Sequence, residues 1–461
     1  MGRAHSCRPA VFVLVVAAAA LLDVGTVPAY LPRPDQGIFS EEHPALSKDI
    51  CAHYKWGLLS DTDARFHAAS SAQDLRTALA TTVREWGDKL FHLWYDGRTW
   101  RILHTPTKCM DASRVCWSRA EAVLETLVEI ATHDPNLLVG GVDVLYSPWD
   151  EPLNISTYPV WQYNRRHGDF GVIVPYHYAF NGGQLDMYRA ARRTPSSGRF
   201  RGTPRCPQGS SARDGNKDDR AVFRGSATYA DSFETSSRGK LCSMLADDPK
   251  GQLRSVVDVA IVEGAPEESY CGRTHRHVSL LDQASCYTMM LDIEGQSFFT
   301  DRTATVVLLN TTLIRQARDG DDFLIPFYLR PWEHYVPTKH DFQDLEAAVM
   351  WVRSHRREAA LLNSRSSQVG LRRTTDEAVL CAYRSALEPL TRWGSLTTEK
   401  EDDGDPVQPS GVWWTVLWER PGNGNWRLFV NVPGDPRKCI VVLGIACIWA
   451  CLTHSRKART E

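Results

Sequence analysis

Three stretches of this 461-residue chain hold side chains able to do chemistry. Asp150 and Glu151 end an apolar run and are flanked by Pro148 and Pro152. A carboxylate fixed at the end of a buried strand can take a proton from a hydroxyl, the work of a general base. A solvated turn would use the same residues. The second stretch, Arg224-Gly225-Ser226, follows the apolar Ala221-Val222-Phe223 and reads as a strand entering a glycine turn. The planar fork of its arginine suits phosphate, although a lone arginine in a surface turn is the commoner case. In the third, an apolar run at 287–293 is broken by Glu294-Gly295 and followed by Ser297, Thr300, Asp301 and Arg302. Anionic ligands settle at such strand-to-helix junctions because free backbone N–H groups and the helix dipole attract negative charge. An ordinary αβ packing unit has the same pattern.

These stretches need elements to hold them. Leu75, Leu79, Val83 and Trp86 recur at helical spacing within 63–91. Aromatic alternation over 91–104, broken at Asp96-Gly97, predicts a hairpin. A helix over 118–132 and a strand over 137–146 follow, the helix-then-strand order of a parallel α/β layer. Further strands are expected at 170–178 and 255–262, a helix capped by Asp341, and another over 375–393. The polar, Gly/Ser-rich segment 192–219 reads as an insertion, and 399–411 as an acidic linker before a Trp-rich segment.

Composition narrows the function classes. A formal net charge of −2 excludes a broad nucleic-acid-binding surface. Neither a phosphate-binding G-x-x-x-x-G-K-[ST] loop nor a G-x-S-x-G or H-E-x-x-H motif occurs. Cys271, His275 and His277 lack a second ligand pair at zinc-finger spacing, so they read as loop residues, with Cys271 a partner for Cys286. Asp321-Asp322 and the acidic run 401–405 offer carboxylates to a metal, but in polar linkers without a preceding buried strand. Arg3 and Arg8 before an apolar run at 11–22, and Val27-Pro28-Ala29 after it, predict a signal peptide over 1–29, or a signal anchor if it stays uncleaved. Twelve cysteines in a secreted chain predict disulfides. Cys109 and Cys116 either close a small loop or stay as thiols. Asn154 and Asn310 head N-glycosylation triplets. Residues 439–452 are free of charge and precede Arg456, Lys457 and Arg459, as either a membrane span or a buried strand.

Together, F-R-G-S at 223–226, L-D-I-E-G at 291–295, and F-Y-L-R-P-W-E-H-Y-V-P at 327–337 with its D-x-x-D-L helix start resemble one family. It is the Rumi-like protein O-glucosyltransferases and capsule-associated enzymes of glycosyltransferase family 90. The resemblance runs from about residue 51 to 393 and omits the tail. It implies a GT-B-like α/β fold, two Rossmann-like lobes with a cleft between them. An N-terminal acceptor-side lobe would occupy 30–180, and a C-terminal nucleotide-sugar-binding lobe 181–398. The rest, 399–461, would be linker and tail. The implied reaction is inverting, metal-independent transfer of a hexose or pentose from a UDP-sugar, UDP-glucose or UDP-xylose, to a hydroxyl of a protein or glycan. The UDP-sugar is a co-substrate, and no cofactor is expected.

The resemblance makes Asp150 the base, with Glu151 its rival. It places Phe223, Arg224, Gly225, Ser226, Glu294, Gly295, Ser297 and Arg302 at the donor. It pairs Cys109 with Cys116 and Cys51 with Cys381. Two departures stand out: Ala227 replaces an arginine that often follows F-R-G-S, and residues 457–461 are not a KDEL-like retention signal. The expected location is the lumen of the endoplasmic reticulum or Golgi, with membrane attachment through 439–452 an option. The competing reading is a non-catalytic lumenal or surface carbohydrate-binding protein on the same fold.

Overall fold

The computed structural model describes residues 71–176, 216–263 and 278–397 with short gaps, the backbone of 415–419 and 427–431, and Cys51, Cys206 and Cys271. The expected signal peptide, most of the 192–219 insertion, His275 and His277, the acidic linker and the 439–452 segment lie outside the described residues.

The first sheet begins after helix α1 (Ala72–Trp86), which Ser71 caps by accepting the Asp74 amide and which buries Leu75 and Leu79. Strands β1 (Phe91–Tyr95) and β2 (Trp100–His104) form the expected antiparallel hairpin. Gly97 turns it with φ at 92°, while Asp96 accepts the Arg98 amide. Helix α2 (Arg114–His133) leads through a 3₁₀ turn at Pro135–Leu138 into β3 (Val142–Tyr146). The apolar run at 137–146 is therefore part turn and part strand. Next come β4 (Val160–Gln162), β5 (Asn164–Arg166) and the two-residue β6 (Val172–Ile173), much shorter than 170–178. The sheet order is β2-β1-β3-β4-β6, with β3, β4 and β6 parallel. Every residue of β1 and β3 is buried, as in a sheet covered on both faces.

The second sheet uses β7 (Asp218–Ser226), β8 (Val257–Glu263), β9 (Tyr287–Asp292), β10 (Thr312–Gln316) and, after the short β11 (Gly320–Asp322), β12 (Val336–Thr338). Its order is β12-β10-β9-β7-β8, parallel throughout. Helices α3 (Ser237–Ala246), α4 (Gln252–Val256), α5 (Leu280–Cys286) and α6 (Asp301–Val306) connect the strands, and α7 (Leu345–Ser354), α8 (Arg356–Arg373) and α9 (Asp376–Thr391) follow. The chain moves outward from β7 to β8, then crosses back to β9 on the other side of β7. Loops leaving the carboxyl ends of β7 and β9 consequently diverge, and in open α/β sheets such a switch point is where a ligand crevice lies.

Three local expectations change. F-R-G-S is the end of strand β7, not a turn after it. Asp344, not Asp341, precedes α7; it accepts from the Thr338 hydroxyl and the Lys339 amide, while Asp341 closes a turn onto the Gln343 amide. Cys271 bonds Cys242, and Cys286 bonds Cys206. Neighbours in sequence failed to pair because Cys286 ends α5 facing residue 206. Cys51–Cys381 and Cys109–Cys116 complete four disulfides among the described residues.

Two features join the sheets. Strand β5 follows β4 directly and β11 follows β10 after a short turn; the two pair antiparallel, with Arg165 3.3 Å from Asp321. Their pairing brings the carboxyl ends of both sheets together. Helix α9 returns to the first sheet: Arg384 meets Asp134 at 2.8 Å and Tyr383 donates to the Pro175 carbonyl. Beyond it, the fully enclosed Asp143 accepts from the Leu396 amide, the Thr397 amide and hydroxyl, and His92 Nε2 at 2.7 Å. Burial opposes the Asp143 charge, but these donors outweigh it and hold the carboxyl below its ordinary 3.8. The stabilisation it gives is present above that value and lost as the pH falls through the lower folded one.

Asp143→Asn is expected to lower unfolding stability at pH 7 by on the order of 3 kcal/mol and to flatten the loss of stability below about pH 4; urea titrations across pH check both. Non-reducing peptide mapping is expected to recover Cys206 with Cys286 and Cys242 with Cys271, and no Cys271–Cys286 peptide.

Candidate active site

At the carboxyl end of β3, Ser147 donates its amide to the Trp161 carbonyl, and its hydroxyl accepts from the Trp149 amide. The indole of Trp149 donates to the Lys89 carbonyl. This anchored turn delivers Asp150 with one third of its side chain exposed and 2.9 Å from Arg119. Glu151, which sequence alone could not separate from Asp150, is an exposed residue. Asn164, at the start of β5, places its Nδ2 2.7 Å from the Asp150 carbonyl and 3.4 Å from Ser297 Oγ. One buried amide thus touches both the carboxylate turn and the turn after β9.

The switch-point crevice is built around Phe223, which is fully buried. Arg302, in the first turn of α6, lies 4.5 Å over its ring and donates to the Arg224 carbonyl at 2.6 Å and to Gln283. Arg238, in the first turn of α3, lies 5.2 Å from the same ring and donates to the Ser226 carbonyl. Both guanidiniums therefore cap the carboxyl end of the sheet beside a helix start. Sequence reading missed Arg238, because it sits twelve residues beyond F-R-G-S and becomes a neighbour only when α3 folds back. Ala227 packs partly buried against the second sheet's core.

Arg224 is placed differently. Its guanidinium turns back along the sheet to Asp258 on β8, reaching both carbonyl and carboxylate, and the Tyr287 hydroxyl donates to the same carboxylate. Its backbone carbonyl, rather than its charge, contributes to the crevice.

Glu294 and Gly295 follow β9. The Glu294 carboxylate accepts from Ser237 in the first turn of α3, and the Glu294 amide donates to Gln316 at 3.0 Å. Gln316 also donates to Ser237 and to the His340 carbonyl, and His340 Nδ1 lies 3.9 Å from Glu294. Below this lies Asp292, with no exposure. It accepts from Thr300 and Thr303, each at 2.6 Å, and pairs with Arg315 and Arg318. Burial raises the cost of its charge, yet the two arginines and two hydroxyls hold it far below the usual carboxylate range. Arg315 continues to Asp322 at 2.8 Å, so Asp321 and Asp322 are both committed to ion pairs. Among the described residues no group of three or more His, Cys, Asp and Glu side chains gathers as a metal site.

Asn154 and Asn310 are both exposed, and Asn310 Oδ1 accepts from Asn363. Among the described residues no helix is long and apolar enough to cross a membrane. Four disulfides fit folding in an oxidising compartment such as the secretory lumen.

The sequence model described as Glycosyl transferase family 90 matches residues 153–412, more than half of the chain. The chain belongs to glycosyl transferase family 90. Bos taurus Protein O-glucosyltransferase 1 is similar, 26% identical over 92 residues. That match covers 20% of this chain and 24% of the bovine protein, so the chain spans about a quarter of the length of the curated relative it matches. The switch-point crevice, with Phe223–Ser226, Glu294-Gly295, Ser297 and Arg302 around it, falls inside the family 90 match, whereas Asp150 lies three residues before it.

The glycine of F-R-G-S has a steric role here. A Cβ on Gly225 would stand 2.8 Å from Phe223 Cζ and 3.5 Å from Arg302 Nη2. The Phe223 ring is enclosed and cannot give way, so Gly225→Ala is expected to cost about 1–3 kcal/mol and to displace Arg302. Urea unfolding and a crystal structure of the variant measure the two effects.

Proposed function

We propose that this chain is an inverting glycosyltransferase of the secretory pathway, moving a hexose or pentose from a UDP-sugar, UDP-glucose or UDP-xylose, to a hydroxyl of a protein or glycan. The observation that carries this reading is the Asn164 amide in contact with both the Asp150 turn and Ser297. A candidate base and the mouth of a phosphate-type crevice thereby share one space. In this reading the two sheets are the cores of GT-B-like lobes, 30–180 on the acceptor side and 181–398 on the donor side, with α9 packed back on the former. The donor's diphosphate lies against the first turn of α3, with Arg238 and Arg302 supplying positive charge where a metal would otherwise act. Glu294 faces the sugar or ribose hydroxyls as an acceptor. Arg224 acts as a strut between β7 and β8. Asp150 takes the proton of the acceptor hydroxyl as its oxygen attacks the anomeric carbon and the UDP oxygen departs with the bonding electrons. Base catalysis of this kind gives about 10²–10⁴-fold.

The purified protein is expected to transfer sugar from one of several UDP-sugars in a screen. Asp150→Asn should lower kcat by about 10²–10⁴-fold with donor affinity retained, and Arg302→Ala should weaken UDP binding. Transfer unchanged by both substitutions would refute these assignments. Glycan binding with no UDP-sugar binding would instead favour the non-catalytic reading.

A further inference from the structure

Arg119 has no place in the motifs that mark the family, yet it is the most tightly held cation near Asp150. It projects from α2 with 8% of its side chain exposed. One nitrogen donates to the Pro148 carbonyl, and another lies 2.7 Å from the Tyr176 hydroxyl and 2.9 Å from Asp150 Oδ1. Its guanidinium carbon is 5.1 Å from the Tyr176 ring and 5.6 Å from the Tyr163 ring. Tyr163 is fully buried and meets the Tyr146 hydroxyl, so the wall behind the arginine is fixed. Burial works against the Arg119 charge, but Asp150, followed by the tyrosines, more than compensates and raises its proton affinity. A buried cation of this kind costs several kcal/mol unless paired, and Asp150 is the carboxylate that pairs with it.

The Asp150 carboxylate is held from one side as a result: Oδ1 is buried against Arg119, while a third of the side chain is exposed. We propose that Arg119 is the positioning residue of this site: it clamps Asp150 Oδ1 and the Pro148 carbonyl of the same turn, and so fixes the direction in which the Asp150 carboxylate meets the acceptor hydroxyl. This inference rests on the transferase reading above. Arg119 touches neither donor nor acceptor and acts only through Asp150.

The test is steady-state transfer by the full chain across pH for wild type, Arg119→Met and Arg119→Lys. Removing the cation is expected to move the acid limb of kcat/KM upward by about 1–3 pH units. It should lower kcat by roughly 10²-fold through loss of aim, with donor KM little changed. Arg119→Lys, which keeps a charge but not the fork, should restore much of the acid limb and little of kcat. If Arg119→Met does not fold, Tyr176→Phe, which removes one partner of the guanidinium, should lower kcat alone, and wild-type kcat there overturns the proposal. An acid limb that stays in place in Arg119→Met, with activity falling only as the folded fraction falls, also overturns it. Wild-type protein that transfers from no sugar nucleotide overturns the functional reading and this role together, so the two failures are distinguishable.

Discussion

The buried charge of Asp292 sets the geometry of everything at the carboxyl end of the second sheet. A carboxylate without exposure must gather donors or become protonated, and it gathers two arginines and two threonine hydroxyls. Thr300 and Thr303 flank the first turn of α6, so satisfying Asp292 also fixes where Arg302 begins. Arg315 carries the constraint onward to Asp322 in β11. Pairing of β11 with β5 then holds Asn164, whose amide reaches the Asp150 turn. A single buried charge thus connects the switch point between β7 and β9 to the Asp150 turn through four short steps. Such networks give little net stability against an apolar core, but breaking one partner is costly; here the return is position.

Cations in the crevice are sorted by what the sheet gives them. Arg224 and Arg302 looked equivalent as phosphate ligands in the sequence, each beside a glycine at a strand end. In the fold, the neighbouring strand offers Arg224 the Asp258 carboxylate, and the arginine turns into the sheet. Arg302 finds the Phe223 face and a carbonyl, and so does Arg238 from the opposite helix. Two guanidiniums thus meet one ring beside the start of α3.

Legibility followed the range of the interactions. The hairpin at 91–104, the buried strand at 287–292 and helix α9 were readable because periodicity and turn chemistry are local. Helix α8 was not: R-R-E-A-A-L-L-N-S-R-S-S-Q-V-G-L-R-R has too few apolar residues to show a stripe, and it is held by packing on the second sheet. Asp341 looked like a cap because its position suited one, but Asp344 lies where the Thr338 hydroxyl can reach it. The Cys271–Cys286 pairing failed for a similar reason, since disulfide partners are chosen in space.

What the sequence by itself determined is the alternation of helices and buried strands, the polar breaks at strand ends, a cysteine count that allows several disulfides, and the motif set that marks family 90. Those are properties of residue types over a few positions or of short ordered motifs. Tertiary structure alone decided the strand order that puts a switch point between β7 and β9, the pairing of Asp150 with Arg119, and the meeting of both turns at Asn164. Each depends on groups far apart in the chain coming within hydrogen-bond reach, and no local pattern encodes that distance.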